Sequence, residues 1–142
     1  MQRYTYTKHP LNMIYAAVIS ILFFGVASIN AQTENKLQYP IGIKTSQGFS
    51  EMIAAGKTLP TIYSETFANY LDGQKSIAIE LSQKRSEGTE KIADVSIDIP
   101  PKPKATAKVI LTLRIDAKRN LTIKAAVMDT GAVKEFGPFP VQ

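Results

Sequence analysis

The side chains that most often carry chemistry in proteins are almost missing from this sequence. The chain of 142 residues has no cysteine, and its one histidine is His9, close to the start. The lack of cysteine rules out thiol catalysis, disulfides and cysteine-based metal sites. His9 lies in the segment that we predict below to be removed as a signal peptide, so the mature chain would have no histidine and we predict neither a catalytic imidazole nor a bound metal.

The remaining polar residues also give little support for an enzyme. The 12 acidic residues are scattered, and no pair of carboxylates stands out. A glycosidase-type pair depends on spatial proximity, so the sequence alone leaves that single alternative open. The eight glycines are isolated rather than clustered in a phosphate-binding loop. We therefore predict a non-enzymatic protein without a cofactor and without a nucleotide.

The net charge of +5 is too dispersed to favour nucleic acid. The PKPK run that ends at Lys104 and the pair Lys118-Arg119 are both predicted to lie in turns. Sparse cations of this kind gain little from counterion release, so we predict that nucleic acid is not a partner.

The first 31 residues have the pattern of a secretory signal peptide. A short segment with Arg3 and Lys8 precedes an uncharged apolar run, residues 13–29, which ends near the small residue Ala31. Cleavage after Ala31 would leave residues 32–142, with a net charge of +3, in a secreted or periplasmic location. The alternative is an uncleaved helix that anchors the chain in a membrane, because 17 apolar residues lie at the lower limit for a spanning helix.

Short alternating segments separated by turn residues predict an all-β fold for residues 39–142. Such spacing is typical of a β-sandwich of about eight short, mostly antiparallel strands. We predict a disordered lead-in over residues 32–38 and strands over residues 39–45, 49–54, 61–69, 75–82, 91–99, 107–115 and 121–127. A last edge strand should be cut short by Pro138 and Pro140, because proline cannot donate to a ladder.

The predicted fold is organised around residues 65–81. Asp72-Gly73 is a strong turn signal, so the flanking strands are predicted to pair as a hairpin. After this turn, Ile77, Ile79 and Leu81 alternate with other residues and must share one face. The charged residues 83–90 are predicted to form a surface loop.

Three groups of residues, in this order, resemble one protein family. The first is GIKT at residues 42–45, followed by TLPT at residues 58–61. The second comprises Phe67, the DGQ at residues 72–74, Ile77 and Ile79. The third is IPPKP at residues 99–103, followed by IDA at residues 115–117, the alternating residues 121, 123 and 125, and the turn at residues 130–131. This arrangement resembles the β-sandwich substrate-binding domain of the seventy-kilodalton heat-shock chaperones, the DnaK type.

The resemblance implies a channel that holds an extended peptide and takes one aliphatic side chain in a central pocket. The implied partners are extended hydrophobic peptides or unfolded protein segments. Two loops would arch over the peptide, and a glutamine after the turn would bond the peptide backbone. Carried over position by position, the pocket residues are Ile43, Thr45, Phe67, Ile77 and Ile79, the arch residues are Ser46 and Tyr70, and the glutamine is Gln74.

Some features depart from the family pattern. The 142 residues contain no counterpart of the family's nucleotide-binding domain or helical lid, so we expect peptide holding without ATP. Gln47 stands where the family prefers glycine in the first arch loop.

The apolar tail, residues 137–141, is predicted to occupy the channel of its own or another chain. The alternative function is a structural or interaction domain of the cell envelope that kept the sandwich and lost the channel.

Overall fold

The structure, a computed structural model, describes residues 35–142 as a β-sandwich of eight antiparallel strands. The strands are β1 (Ile41–Thr45), β2 (Gly48–Ile53), β3 (Thr61–Ala68), β4 (Ser76–Arg85), β5 (Gly88–Asp98), β6 (Lys108–Ile115), β7 (Asn120–Val127) and β8 (Val133–Pro140). The first sheet has the order β2-β1-β4-β5 and the second has the order β3-β6-β7-β8. The predicted fold class is therefore confirmed.

Strict alternation along the strands builds the core between the two sheets. In β6 the residues Val109, Leu111, Leu113 and Ile115 are completely buried, whereas Lys108 and Arg114 point to solvent. Burying each large aliphatic side chain contributes about 1.5–3 kcal/mol, so these strands are the main source of stability. The inward residues of β4 and β5 complete the core from the opposite sheet.

The predicted hairpin around Asp72-Gly73 is wrong. The turn is present, and Gly73 has the positive φ of 65° that favours glycine. However, β3 pairs with β6 in the second sheet, while β4 pairs with β1 and β5 in the first. Residues 69–75 therefore cross from one sheet to the other, because the inward faces of β3 and β4 cover opposite sides of the core.

Two further boundaries differ from the prediction. Residues 83–90 form no surface loop, because β4 continues to Arg85 and β5 begins at Gly88, so the connection is a tight hairpin. The last strand is also not cut short. β8 runs through Pro138 to Pro140, and it tolerates both prolines because it lies at a sheet edge and pairs only with β7.

The described part of the predicted disordered lead-in is packed, which corrects that prediction for residues 35–38. Leu37 is buried in the core, and its N–H donates to the carbonyl of Lys57 at 2.8 Å. Its carbonyl in turn accepts from the N–H of Gly56 at 2.7 Å. The buried Leu37 side chain and these backbone hydrogen bonds hold the segment against the sandwich.

The predicted signal peptide, residues 1–31, lies outside the described residues. Within residues 35–142 the structure contains no helix with the length and hydrophobicity needed to cross a bilayer.

Candidate functional site: a cleft between strands β1 and β4

The first sheet opens between β1 and β4, and the opening forms a cleft. The two strands pair only over Ile41–Ile43 of β1, and the last matched pair is Ile43 with Leu81. Beyond that point, Lys44 and Thr45 pair only with β2, and residues 76–80 of β4 pair only with β5. Each strand therefore has one unpaired backbone edge along the opening.

The structure brings six of the eight predicted site residues together around this cleft of about 450 Å³. Three strands and one loop contribute them: Ile43, Phe67, Tyr70, Gln74, Ile77 and Ile79. Phe67 comes from β3 in the opposite sheet, so the cleft passes between β1 and β4 toward the sandwich interior.

The apolar residues of the cleft are buried to different degrees. Ile77 is only 6% exposed and belongs to the core. Ile43, Phe67 and Ile79 are partly buried and pack against that core. The cleft therefore offers aliphatic and aromatic surface to an incoming side chain, with Ile77 acting mainly as its support.

Thr45 and Ser46 do not line the cleft. The Thr45 hydroxyl donates to the carbonyl of Gly48 at 2.9 Å and accepts from the N–H of Gln47 at 3.2 Å, so it braces the β1–β2 turn. Ser46 is exposed at the tip of that turn. The family resemblance placed Thr45 in the pocket. In the structure its hydroxyl makes both of its hydrogen bonds within the β1–β2 turn.

A close approach of backbones fixes the base of this turn. A Cβ on Gly42 would overlap the carbonyl oxygen of Ser50 and would lie 2.8 Å from the Phe49 ring. The ladder between β1 and β2 is irregular at this point, between Ile41 and Gly42. Only glycine fits here, so Gly42 sets where the β1–β2 hairpin bends beside the cleft.

The opposite wall of the cleft is the β3–β4 loop, which Gln74 holds together. Its side-chain oxygen accepts from the N–H groups of Tyr70 at 2.9 Å and Leu71 at 3.3 Å, and its side-chain nitrogen donates to the carbonyl of Ser76 at 2.6 Å. Gln74 therefore makes its hydrogen bonds within its own loop in this structure, and its predicted bond to a peptide backbone stays a prediction. Tyr70 remains 67% exposed at the rim.

Sequence reasoning missed Asn69, the residue that fixes this loop in place. Asn69 is 1% exposed, and its amide nitrogen donates to the carbonyls of Leu71, Lys102 and Pro103 at 2.9–3.2 Å. Its amide oxygen accepts from the N–H of Ala107 at 2.9 Å. The only signal in the sequence was an asparagine at a strand end, which is too common to indicate a buried clamp.

The loop over residues 99–107 is the second layer of support. The N–H of Lys104 donates to the Asp72 carboxylate at 2.7 Å, and the N–H of Gly73 donates to the carbonyl of Lys102 at 2.9 Å. The Lys102 ammonium forms an ion pair with Asp129 at 2.6 Å, and this hydrogen bond lowers the pKa of Asp129. The rim of the cleft is thus tied to the β7–β8 turn.

The charges around the cleft nearly balance. Lys44 and Glu80 are the two charged residues of its lining, and they carry opposite signs. No set of histidine, cysteine or acidic residues suited to a metal occurs within the described part of the chain. The chemistry of the cleft is therefore apolar contact together with backbone hydrogen bonding.

A second cavity, of about 570 Å³, lies on the outward face of the second sheet. Its lining is mostly polar, with Thr112, Arg114 and Lys124 beside Glu135. It lacks the cluster of apolar side chains that the cleft has, and the sheet beneath it is continuously paired. The cleft between β1 and β4 is the stronger candidate site for a peptide.

Comparison with known proteins identifies relatives of this chain. Residues 16–137 match the family described as Hsp70 protein. The chain is also 32% identical over 101 residues to Heat shock 70 kDa protein 7, chloroplastic, of Arabidopsis thaliana. That alignment covers 68% of this chain and 14% of the relative, so the chain spans a small part of the length of the protein it matches.

Proposed function

The chain belongs to the Hsp70 family, and from that membership we propose that its β-sandwich holds extended hydrophobic peptide segments in the cleft between β1 and β4. Such a role is chaperone-like and non-enzymatic, with peptides or unfolded protein segments as partners.

The observation that carries this proposal is the parting of β1 from β4. An extended peptide needs partners for its main-chain N–H and C=O groups, and unpaired strand edges supply them. Both edges of the opening are unpaired beyond the Ile43–Leu81 pair. The aliphatic lining lies between these edges, so one bound segment can use both kinds of contact.

The size and lining of the cleft suggest modest affinity. Its volume of about 450 Å³ falls within the usual range of ligand sites. Burial of one leucine side chain contributes about 1.5–3 kcal/mol, and each main-chain hydrogen bond adds roughly 0.5–1.5 kcal/mol. After the entropic cost of ordering the peptide, these terms correspond to a dissociation constant on the order of micromolar.

We further propose that this domain holds peptides without ATP. The 142 residues carry no glycine-rich phosphate loop. Peptide affinity should therefore be the same with and without ATP and magnesium, which titration of one labelled peptide under both conditions measures directly. A change in affinity on addition of ATP would contradict this part of the proposal.

The central experiment is fluorescence anisotropy with a labelled leucine-rich heptapeptide. The test variant is Ile79→Ser, because Ile79 lines the cleft and is only partly buried. The control variant is Ile92→Ser, since Ile92 is a partly buried isoleucine that packs against the same core but lies outside the cleft. Wild type should bind saturably, Ile79→Ser should bind on the order of tenfold or more weakly, and Ile92→Ser should bind like wild type.

The control separates loss of the site from loss of the fold. Equal weakening by both substitutions would show that general destabilisation, and not the cleft, controls binding. If a folded wild-type protein does not bind at all, the alternative function gains support, namely an envelope structural or interaction domain that kept the sandwich without a working channel.

We also propose export, with residues 1–31 as a cleaved signal peptide and a secreted or periplasmic mature protein. The support is the basic start, the uncharged run of residues 13–29 and the small residue Ala31. Mass spectrometry of the protein from fractionated host cells should give a chain that begins at Gln32 in the extracytoplasmic fraction. A full-length chain in the membrane fraction would instead support the anchored alternative.

A further inference from the structure

The four sheet edges of this domain differ in how they are protected against pairing with another strand. Natural sheets protect their edges with charges, prolines, irregularities or short strands. β5 carries a series of charged residues, among them Lys91, which forms an ion pair with Asp94. β8 contains Pro138 and Pro140, and β2 is short and lies beside the irregularity at Gly42.

The fourth edge, β3, lacks most of these devices. Its eight residues pair with β6 from Thr61 to Ala68 without a break in register. The strand has no proline, glycine, lysine or arginine, and its single charge is Glu65. Ile62 is 65% exposed. Within the described residues, β3 therefore presents a long, regular row of backbone groups on the side away from β6.

We propose that β3 pairs antiparallel with β3 of a second copy of this chain, so that two second sheets join into one continuous sheet. This inference concerns self-association and goes beyond the peptide cleft. It also places the contact on β3 rather than on the C-terminal tail, which is already paired as β8.

The faces of the sandwich restrict the register of such a pair. Tyr63, Glu65 and Phe67 lie opposite the buried residues of β6, so they belong to the inner face, whereas Ile62 and Ser64 lie on the outer face. A continuous sheet must place inner-face residues of one copy opposite inner-face residues of the other. Shifting the pair by one residue would place inner-face residues opposite outer-face residues, so only every second register meets this requirement.

Glu65 then selects among the registers that remain. Centring the pair on Glu65 would place two carboxylates directly opposite each other, which is destabilising. Centring it on Ser64 places Tyr63 opposite Glu65 of the second copy and Ile62 opposite Thr66 of the second copy. This register pairs seven residues and opposes no like charges.

The same register places a tyrosine hydroxyl opposite the single charge of β3. Within one chain the Tyr63 hydroxyl already donates to the Glu65 carboxylate at 3.1 Å. In the Ser64-centred pair, Tyr63 of each copy lies directly opposite Glu65 of the other, and the two-fold symmetry makes this contact occur twice. Each hydroxyl has one hydrogen, so it donates either to Glu65 of its own chain or across the pair. A second copy presents Tyr63 and no acidic residue opposite each Glu65, so the strand is complementary to itself in this register.

The test is sedimentation velocity of the full chain over a range of protein concentrations, with Ser64→Lys beside wild type. Ser64 would face its own symmetry mate, so this substitution places two like charges directly opposite each other. The matched control is Thr112→Lys. It removes the same hydroxyl–hydroxyl hydrogen bond of 2.9 Å between Ser64 and Thr112 and adds the same charge to the same face, but away from the edge.

Wild type and Thr112→Lys should show the same concentration-dependent dimer. Ser64→Lys should raise the dimer dissociation constant on the order of tenfold or more. A wild type that stays monomeric at every concentration would overturn the proposal. Equal weakening by the two lysine variants, or no weakening by Ser64→Lys, would overturn it as well.

A crosslinking measurement tests the register independently. Because the chain has no cysteine, Ser64→Cys introduces a single thiol. Directly opposite residues in an antiparallel pair have Cα atoms about 4.5–5.5 Å apart, which is within the range of a disulfide. Mild oxidation with copper phenanthroline should link two copies of Ser64→Cys and leave Thr112→Cys largely unlinked. Equal yields for the two variants would contradict the proposed register.

Discussion

Asn69 and Tyr70, neighbours in the β3–β4 loop, have opposite roles. Asn69 is buried and bonds three carbonyls and one N–H, so it holds the loop against residues 102–107. Tyr70 is 67% exposed and lines the cleft. The first residue therefore provides stability, and the second is free to contact a ligand. Substitutions at the two positions should separate these effects.

Tyr70→Ala should weaken peptide binding without a loss of stability. The ring lies at the rim of the cleft, so its removal should chiefly raise the dissociation rate of a bound peptide. The expected increase is several-fold and can be measured by stopped-flow release of a labelled peptide. Leu71→Ala is the matched control, because Leu71 is also exposed and adjacent but lies outside the lining. If both variants release peptide at the wild-type rate, Tyr70 has no role in binding.

Asn69→Ala should destabilise the domain by about 3 kcal/mol. The substitution leaves the buried Ala107 N–H without its acceptor and the carbonyl of Leu71 without its donor, and each unsatisfied buried group costs about 1–3 kcal/mol. Urea unfolding gives the change. Thr106→Ala serves as the control in the same loop, because its hydroxyl bond to Pro103 is exposed and should be worth about 0.5 kcal/mol or less. Similar values for the two variants would show that Asn69 is not a clamp.

At the scale of elements, local pattern predicted the strands more reliably than their pairing. Alternation located the inward residues of β4 to β7, because burial on one face imposes a period of two. The Asp72-Gly73 turn was also correct. The two strands that flank the turn nevertheless lie in different sheets. Pairing depends on which side of the core each strand covers, and the residue types of a turn do not indicate that side. The buried Asn69 and the engaged Gln74 were invisible for the same reason, because their partners come from a loop about 30 residues away or from backbone groups.

The β6–β7 turn should make the domain sensitive to acid. Hydrogen bonds donated by the backbone N–H and the side-chain amide of Asn120 hold the pKa of the Asp116 carboxyl below its ordinary value of 3.8. Because the pKa is lower in the folded state, the turn contributes full stability above pH 3.8 and loses it as the pH falls through the lower folded value. Asp129, paired with Lys102, acts in the same direction.

Asp116→Asn should therefore reduce, but not abolish, the loss of stability in acid. The measurement is the urea midpoint as a function of pH, from neutral to well below 3.8, for wild type and for this variant. Asp129→Asn should reduce the same slope through the other turn. Identical slopes for wild type and the two variants would show that neither carboxyl couples folding to pH.

At the scale of the whole molecule, the cleft lies at one end of the sandwich and the two bordering chain segments are held at the other. The cleft, the β3–β4 loop and the loop over residues 99–107 lie at one end. Both chain segments that border the sandwich meet at the other end, where Gln83 joins them. Its amide nitrogen donates to the carbonyls of Tyr39 at 3.2 Å and Gln142 at 2.6 Å, and it is 2% exposed. The tail was predicted to enter the channel, but Val141 is buried in the core instead.

Gln83→Ala tests this separation. Removing the amide takes the donor from the carbonyl of Tyr39 and the acceptor from the N–H of Gln142, whereas the carbonyl of Gln142 keeps the N–H groups of Gln38 and Tyr39. We therefore expect a loss of about 1–3 kcal/mol in urea unfolding. Hydrogen exchange should accelerate at Gln38 and Gln142, whose N–H groups bond the carbonyl of Gln142 and the side chain of Gln83. Peptide affinity should stay at the wild-type value, because the cleft lies at the opposite end. A rise in affinity would instead mean that loosening the tail frees the cleft, and it would restore the tail as a competitor for the site.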